Sequence, residues 1–136
     1  MTDIRVLHVD DDKEFVDLAA LLLERESGSL SVTVETSVAA GLEHIESSPV
    51  DCVVSDYDMP GTDGLEFLRA VRERESDLPF VLFTGKGSEE IASAAISAGV
   101  NDYLQKVTGT DQFKVLANRI ENLVSQARAE ATLERK

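Results

Sequence analysis

Four mostly apolar residues run directly into an acid in the segment Cys52-Val53-Val54-Ser55-Asp56-Tyr57-Asp58-Met59-Pro60-Gly61. The apolar run predicts a buried strand, and the residues after Asp56 predict a turn. The Asp56 carboxylate should therefore lie at the carboxyl end of the strand, which is where open α/β sheets bind ligands. A lone acid at this place would decide little, because aspartate is common in turns.

Three further runs also end in polar side chains. Leu7-His8-Val9 leads into Asp10, Asp11 and Asp12, Phe80-Val81-Leu82-Phe83 leads into Thr84, and Tyr103-Leu104-Gln105 leads into Lys106. Each of the four runs ends in a charged or hydroxyl side chain. Together they indicate a shared site more strongly than any one run does.

Strand-like and helix-like patterns alternate along the chain. The predicted strands are Ile4–Val9, Leu30–Glu35, Val50–Ser55, Phe80–Phe83 and Val100–Gln105. Each is followed by apolar residues at helical spacing, with Asp11 or Asp12 and Ser37 as N-cap candidates and Gly99 as a C-cap candidate. This (βα)₅ alternation predicts an α/β fold, a doubly wound parallel five-stranded sheet with helices on both faces. Right-handed crossovers then place the carboxyl ends of all strands at one edge.

The size and charge of the chain limit its possible functions. At 136 residues it should form one domain, and no apolar run is long enough to cross a bilayer, so we expect a cytoplasmic protein. Its net charge of −13 argues against direct binding to nucleic acid. So much like charge favours a salt-rich cytoplasm, because about 1 M salt shortens the screening length to about 3 Å. An ordinarily acidic bacterial-type protein is the alternative.

Several residues with possible chemistry are better explained as structural. Cys52 lies within an apolar strand and predicts a buried thiol. His8, on the first strand, is predicted to be a hydrogen-bonded core or sheet-face histidine, with a phosphodonor or metal role as the less favoured alternative. The first helix should bury Phe15, Leu18, Ala19 and Leu22 on one face.

The topology brings the polar strand ends together at one edge. Asp10, Asp11 and Asp56 would repel one another there, and a hard divalent cation with oxygen ligands relieves that repulsion. Mg²⁺ fits because it takes one or two carboxylates, keeps waters and leaves room for a phosphoryl oxygen. The Thr84 hydroxyl and the Lys106 ammonium suit the remaining phosphoryl oxygens. The sequence thus predicts a site that holds a phosphoryl group on a carboxylate.

Residues 4–126 resemble the CheY-like receiver domain of two-component response regulators. The resemblance rests on the acid pair Asp10 and Asp11, on Asp56, Thr84, Tyr103 and Lys106 in the expected order, and on the turns Met59-Pro60 and Asp63-Gly64. It implies the strand order 2-1-3-4-5, with Asp56 as phosphoacceptor and Lys106 as the phosphate-binding lysine. Thr84 and Tyr103 correspond to the switch residues.

The resemblance also implies the partners and the cofactor. A histidine kinase or phosphotransfer protein would donate a phosphoryl group to Asp56, with Mg²⁺ bound by Asp11, Asp56 and the backbone carbonyl of Asp58, and by Asp10 through water. Thr84 and Tyr103 would then change the surface of the fourth helix, fifth strand and fifth helix, which would dock a downstream domain, a partner protein or a second copy. Such a domain catalyses only its own phosphorylation and dephosphorylation.

The sequence departs from the family pattern in a few places. Val107 follows Lys106 where proline is usual, so we expect a trans peptide bond there. Gly85 replaces the more usual alanine after the switch threonine, which loosens the loop. Asp58 and Lys86 occupy the positions that tune loss of the phosphoryl group, and we expect a loose ion pair between them.

Two other functions compete with a phosphoacceptor switch. A pseudo-receiver would bind partners through the same fold without phosphorylation, but the intact acid pair, Thr84 and Lys106 disfavour it. A small phosphatase or nucleotide-binding enzyme is disfavoured because no glycine-rich phosphate loop follows the first strand.

Residues 127–136 are rich in helix formers and contain no glycine or proline, so we expect the start of a linker helix after a receiver domain at 1–126. The runs Phe83–Ser88 and Tyr103–Lys106 resemble receivers that precede sensory and histidine-kinase modules in salt-loving archaea. A free-standing receiver is the alternative.

Overall fold

The computed structural model describes residues 3–85 and 87–134 as five strands that alternate with five helices. The strands are β1 (Ile4–Val9), β2 (Leu30–Glu35), β3 (Cys52–Ser55), β4 (Phe80–Thr84) and β5 (Asp102–Gln105). The helices are α1 (Lys13–Glu26), α2 (Val38–Ser47), α3 (Gly64–Arg74), α4 (Glu89–Ala98) and α5 (Asp111–Glu134).

The sheet is parallel throughout, with the order β2-β1-β3-β4-β5, as predicted. β1 and β3 are neighbours, with Val9 opposite Ser55, so the residues that follow them emerge side by side. β4 and β5 are also neighbours, with Thr84 opposite Gln105. The register therefore places the polar ends of four strands along one edge.

The strand boundaries differ slightly from the prediction. β3 begins at Cys52 and β5 at Asp102, each two residues later than expected. At β5 the reason is the end of α4, where Gly99 adopts a left-handed conformation with φ of 94°. The Val100 amide still donates to the Ala95 carbonyl of that helix (3.0 Å), so it is not available to the sheet.

Both faces of the sheet are covered by apolar side chains. One cluster joins Ile4, Val6 and Val54 to residues of α1 and α5, and the other joins Leu7, Val9 and Val53 to residues of α2, α3 and α4. Cys52 is fully buried, as predicted. Leu18 is not in the core: it is 51% exposed, because α1 turns Val16, Ala19 and Leu23 inward.

The predicted caps are present. The Asp12 carboxylate accepts a hydrogen bond from the Phe15 amide (3.1 Å), and the Ser37 hydroxyl accepts one from the Ala40 amide (3.1 Å). The Asp12 cap fixes the start of α1 directly after the acids that follow β1.

The last helix continues beyond residue 126 to Glu134. Arg128 holds this extension against the amino-terminal edge of the sheet, donating to the Asp3 carbonyl (2.8 Å) and lying 3.4 Å from the Asp51 carboxylate. Arg135 and Lys136 lie outside the described residues. No helix in residues 3–85 and 87–134 has the length and apolar character needed to span a membrane.

Candidate functional site

An open cleft at the carboxyl edge of the sheet contains most of the predicted site residues. Its volume is about 390 Å³, and it is lined by Asp10, Asp11, Asp12, Asp56, Asp58, Thr84, Gly85 and Lys106. Carboxylate oxygens of Asp10, Asp11 and Asp56 all lie within 4.8 Å of one another. The fold thus brings together the acids of the first and third strands, as the sequence predicts.

Asp10 lies at the bottom of the cleft and is completely buried. Its Oδ1 accepts a hydrogen bond from the Asp12 amide (2.9 Å), and its Oδ2 accepts one from the Lys106 ammonium (2.7 Å). Burial raises the pKa of Asp10, while the hydrogen bonds from Lys106 and Asp12 act in the opposite direction. Lys106 therefore compensates a charge that would otherwise be costly to bury.

Asp56 is 8% exposed and lies beside Asp10. Its Oδ1 accepts a hydrogen bond from the Tyr57 amide (2.8 Å), and its Oδ2 lies 3.6 Å from the Lys106 ammonium. The start of α3 packs tightly against this segment: the Gly64 amide donates to the Tyr57 carbonyl (2.8 Å), and a Cβ at Gly64 would collide with the Asp56 carbonyl. A glycine at position 64 is therefore required to hold the chain around Asp56 in this form.

Lys106 is fixed from several sides. Its amide donates to the Thr84 carbonyl (2.8 Å), which continues the pairing of β4 with β5. Its ammonium lies between Asp10 and Asp56 and 4.2 Å from the centre of the Phe15 ring. This is the distance of a cation–π contact, which adds to the attraction of the carboxylates.

Thr84, which lines the cleft, and Tyr103 lie on the neighbouring strands β4 and β5. Thr84 is fully buried at the end of β4. Tyr103 packs against the cluster on the α4 side of the sheet, and its hydroxyl is buried with no hydrogen-bond partner among the described residues. The backbone of Gly87 lies over it: a Cβ at that position would be 2.9 Å from the Tyr103 hydroxyl.

Comparison with known proteins identifies the family. The response regulator receiver domain model matches residues 6–118. The chain belongs to the response regulator receiver domain family. It is 32% identical over 126 residues to the transcriptional regulatory protein FixJ of Bradyrhizobium diazoefficiens, covering 93% of this chain and 59% of that protein. The chain thus spans less than two thirds of that relative.

Solved receiver domains share the fold. The CheY-like receiver domain protein of Methanospirillum hungatei superposes with a TM-score of 0.84 at 24% identity, covering 95% of this chain and 99% of the other. The receiver domain of the Francisella response regulator 1452 gives a TM-score of 0.79 at 27% identity, over 91% and 98% of the two chains. The chain is therefore a CheY-like receiver domain of two-component signalling.

The acid cluster of this receiver domain fits a magnesium ion. Mg²⁺ prefers oxygen ligands and is usually bound through one or two carboxylates with several waters. Asp10, Asp11 and Asp56 supply such oxygens in one place, and Asp11 is exposed to solvent at the mouth of the cleft. The individual metal ligands, including the Asp58 carbonyl, stay predictions.

The predictions for Asp58, for Lys86 and for the Lys106–Val107 peptide bond have different outcomes. Asp58 is exposed at the rim of the cleft. Lys86 lies outside the described residues, so its predicted ion pair with Asp58 and its tuning role stay predictions. The Lys106–Val107 bond is trans, as expected, since the described chain contains no cis peptide bond.

His8 differs from the prediction in one respect. It is fully buried in the core of the receiver domain, but neither ring nitrogen has a hydrogen-bond partner among the described residues. The ring packs near Phe15 and Phe83 instead, with centroids 6.4 Å away in each case. Burial, helped by the nearby charge of Lys106, lowers the pKa of His8 to about 3.

Phe15 is a site residue that the sequence did not reveal. Its place on α1 predicted a core residue, and it does pack against Phe83 and Phe113 (ring centroids 6.0 and 6.1 Å away). The same ring also contacts the Lys106 ammonium. Its proximity in sequence to the acid cluster, three residues after Asp12, was the available signal.

Proposed function

We propose that this receiver domain is a phosphoacceptor switch, in which Asp56 takes a phosphoryl group from a phosphohistidine of a histidine kinase or phosphotransfer protein. The observation that carries the proposal is the position of the Asp56 carboxylate. It lies in the cleft within 4.8 Å of two further acids and 3.6 Å from an ammonium. This arrangement supplies a nucleophile, a metal site and a cation for the transferred group in one place.

The chemistry is a displacement at phosphorus. A carboxylate oxygen of Asp56 forms a bond to the phosphorus atom, the bond from phosphorus to the donor imidazole nitrogen breaks, and that nitrogen keeps the electron pair. A proton carried by the other ring nitrogen, or taken from water, leaves the departing imidazole neutral. The product is an acyl phosphate on Asp56 and a free histidine on the donor. The domain turns over no separate substrate, so it acts as a switch.

Asp10, Asp11 and Asp56 would hold Mg²⁺, together with the Asp58 backbone carbonyl. When bound, the ion supplies charge stabilisation for the phosphoryl oxygens and offsets the repulsion among the acids. These acids would hold the ion in the cleft that the phosphoryl donor must approach.

Lys106 would serve both states of the switch. In the unphosphorylated form its ammonium bonds Asp10 and lies near Asp56. After transfer, the negatively charged phosphoryl oxygens would offer the ammonium further charge-assisted hydrogen bonds, and it would turn toward them. The Thr84 hydroxyl would take another of these oxygens.

The output surface is formed by α4, β5 and α5. Withdrawal of Thr84 toward the phosphoryl group would free space next to Tyr103 and bias its position. On this surface Ile96 is 71% exposed, and Asp102 is paired with Arg119 (2.6 Å). A surface of this kind suits a downstream domain, a partner protein or a second copy.

The proposal is tested by the chemical character of the phosphorylated product. Wild-type protein treated with a phosphorylated donor and Mg²⁺ should carry a phosphoryl group that hydroxylamine removes, because acyl phosphates react with this nucleophile. Asp56→Asn should carry none. If the wild type, shown to be folded, takes up no phosphoryl group, the domain is a pseudo-receiver that acts by binding alone.

A further inference from the structure

The Gln112 side chain forms three hydrogen bonds with the loop that joins β5 to α5. Gln112, in the first turn of α5, accepts a hydrogen bond at Oε1 from the Val107 amide (2.9 Å). Its Nε2 donates to the carbonyls of Val107 (2.6 Å) and Gly109 (2.9 Å). The opposite orientation of the amide would set its N–H groups against the Val107 N–H, so the contacts define its orientation.

These contacts hold the peptide group that comes directly after Lys106. The Val107 nitrogen belongs to the Lys106–Val107 peptide bond, and the Lys106 amide on the other side is tied to the Thr84 carbonyl (2.8 Å). The backbone of Lys106 is therefore fixed on one side by the sheet and on the other by Gln112. A lysine side chain has several rotatable bonds, so a fixed backbone is needed to deliver its ammonium to one place.

Val107 and Gln112 are chemically matched. A proline at position 107 would have no N–H and a fixed φ, so it would offer Gln112 no donor and need no restraint. Valine has a free φ and an N–H that must be satisfied. Gln112 accepts a hydrogen bond from this N–H and donates hydrogen bonds to the carbonyls of Val107 and Gly109. These bonds restrain the loop backbone, as the ring of a proline at position 107 would.

We infer that Gln112 is a positioning residue for phosphoryl transfer, which acts by fixing the Lys106 ammonium beside Asp10 and Asp56. The inference rests on the proposed function. Among the described residues, the Gln112 side chain forms no hydrogen bond with either carboxylate, and its hydrogen bonds are with the loop backbone. Loss of these contacts would let the ammonium spread over several positions, and misplacement of a catalytic group by about 1 Å can cost a hundredfold in rate.

The test is the rate of phosphorylation over a range of acetyl phosphate concentrations up to saturation, with Mg²⁺ present. Gln112→Ala should lower the maximal rate about tenfold while the concentration of donor at half-maximal rate changes little, because positioning affects the transition state more than donor binding. Gln126→Ala is the matched control and should react at the wild-type rate. Among the described residues, this glutamine of the same helix forms a hydrogen bond only with exposed Glu130 (3.2 Å).

A double-mutant cycle separates positioning from a general loss of structure. If Gln112 acts through Lys106, Gln112→Ala should cause no further loss in a Lys106→Ala background. An undiminished tenfold loss in that background, or a folded Gln112→Ala protein that reacts as fast as wild type, would overturn the inference.

A second variant tests the inference in case Gln112→Ala does not fold. Gln112→Glu keeps the acceptor for the Val107 N–H but loses both donors, so its rate should lie below that of wild type, and a wild-type rate would count against the inference. A wild type that takes no phosphoryl group would overturn the proposed function and this inference with it. Normal phosphorylation of wild type with unchanged Gln112 variants would overturn this inference alone.

Discussion

The Lys106 ammonium donates a hydrogen bond of 2.7 Å to the carboxylate of Asp10, which is completely buried. The two residues come from opposite ends of the chain, and Lys106 is itself mostly shielded from solvent. An ion pair of this kind gives little net stability compared with an apolar pair, but removing one partner leaves a buried charge without compensation. Lys106 is thus the internal counter-ion of the metal-free acid cluster.

The first prediction concerns this counter-ion. Lys106→Ala should lower the free energy of unfolding of metal-free protein by about 3 kcal/mol, because Asp10 is left buried and unpaired. Urea denaturation in the presence of EDTA measures the change. In the double variant Lys106→Ala/Asp10→Asn, the free energy of unfolding should fall much less.

Lys13→Ala provides the control for that experiment. Lys13 pairs with Asp17 at 2.9 Å on the exposed face of α1, and exposed pairs contribute only about 0–1 kcal/mol. Equal losses for Lys106→Ala and Lys13→Ala would contradict the counter-ion role.

The second prediction concerns the metal. Mg²⁺ should raise the melting temperature of wild type, because a ligand that binds only the native state stabilises it by about 2.7 kcal/mol at a hundred times its dissociation constant. Asp11→Ala should lose most of this shift. Thermal melts in MgCl₂ and in KCl of equal ionic strength distinguish binding from screening, and equal shifts in wild type and Asp11→Ala would show that screening alone acts.

The third prediction concerns His8 and pH. Its pKa in the folded protein, about 3, lies below the ordinary value of 6.5, so between these values the unfolded chain binds a proton that the native state does not. The neutral form of His8 thus contributes to the free energy of unfolding. This contribution is fully present above pH 6.5 and is lost as the pH falls toward 3. The linkage relation gives a loss of about 2–3 kcal/mol between pH 7 and pH 4.5.

His8→Leu removes this titration and should therefore lose less stability than wild type over the same pH range. It should also fold well at pH 7, because neither nitrogen of the buried ring has a hydrogen-bond partner among the described residues. Urea denaturation at both pH values, with EDTA present, measures the difference. Parallel losses in the two proteins would show that His8 is not the titrating group.

The fourth prediction concerns Tyr103. Because its hydroxyl is buried with no partner in the described part of the chain, Tyr103→Phe should leave the free energy of unfolding unchanged or raise it by up to about 1 kcal/mol. Tyr103→Ala should lower it by about 2 kcal/mol or more, through loss of packing. A marked loss of stability in Tyr103→Phe would mean that the hydroxyl is bonded in solution.

Much of the site was predictable because strand ends are readable in the sequence. Asp10, Asp56, Thr84 and Lys106 each follow or end an apolar run, and the handedness of crossovers brings such residues to one edge of a parallel sheet. The resemblance to the receiver family then gave them roles. The pairing of Lys106 with Asp10 could not be predicted, since it depends on a side-chain conformation.

The remaining features depend on packing that residue patterns do not encode. Phe15 fits an apolar helix face equally well whether or not it contacts Lys106, and Gln112 is an ordinary polar residue in the first turn of a helix. Leu18 was expected in the core because helical spacing does not define how wide the buried face is. The salt-rich cytoplasm and the linker role of residues 127–136 stay predictions.

The most direct test of the central claim is the intact mass of the protein after incubation with acetyl phosphate and Mg²⁺ in molar KCl. We predict that wild type gains the mass of one phosphoryl group, and that Asp17→Asn, which changes an exposed acid of α1, does the same. Asp56→Asn should gain nothing. An unmodified wild type, or an adduct that persists in Asp56→Asn, would contradict the assignment of Asp56 as the phosphoacceptor.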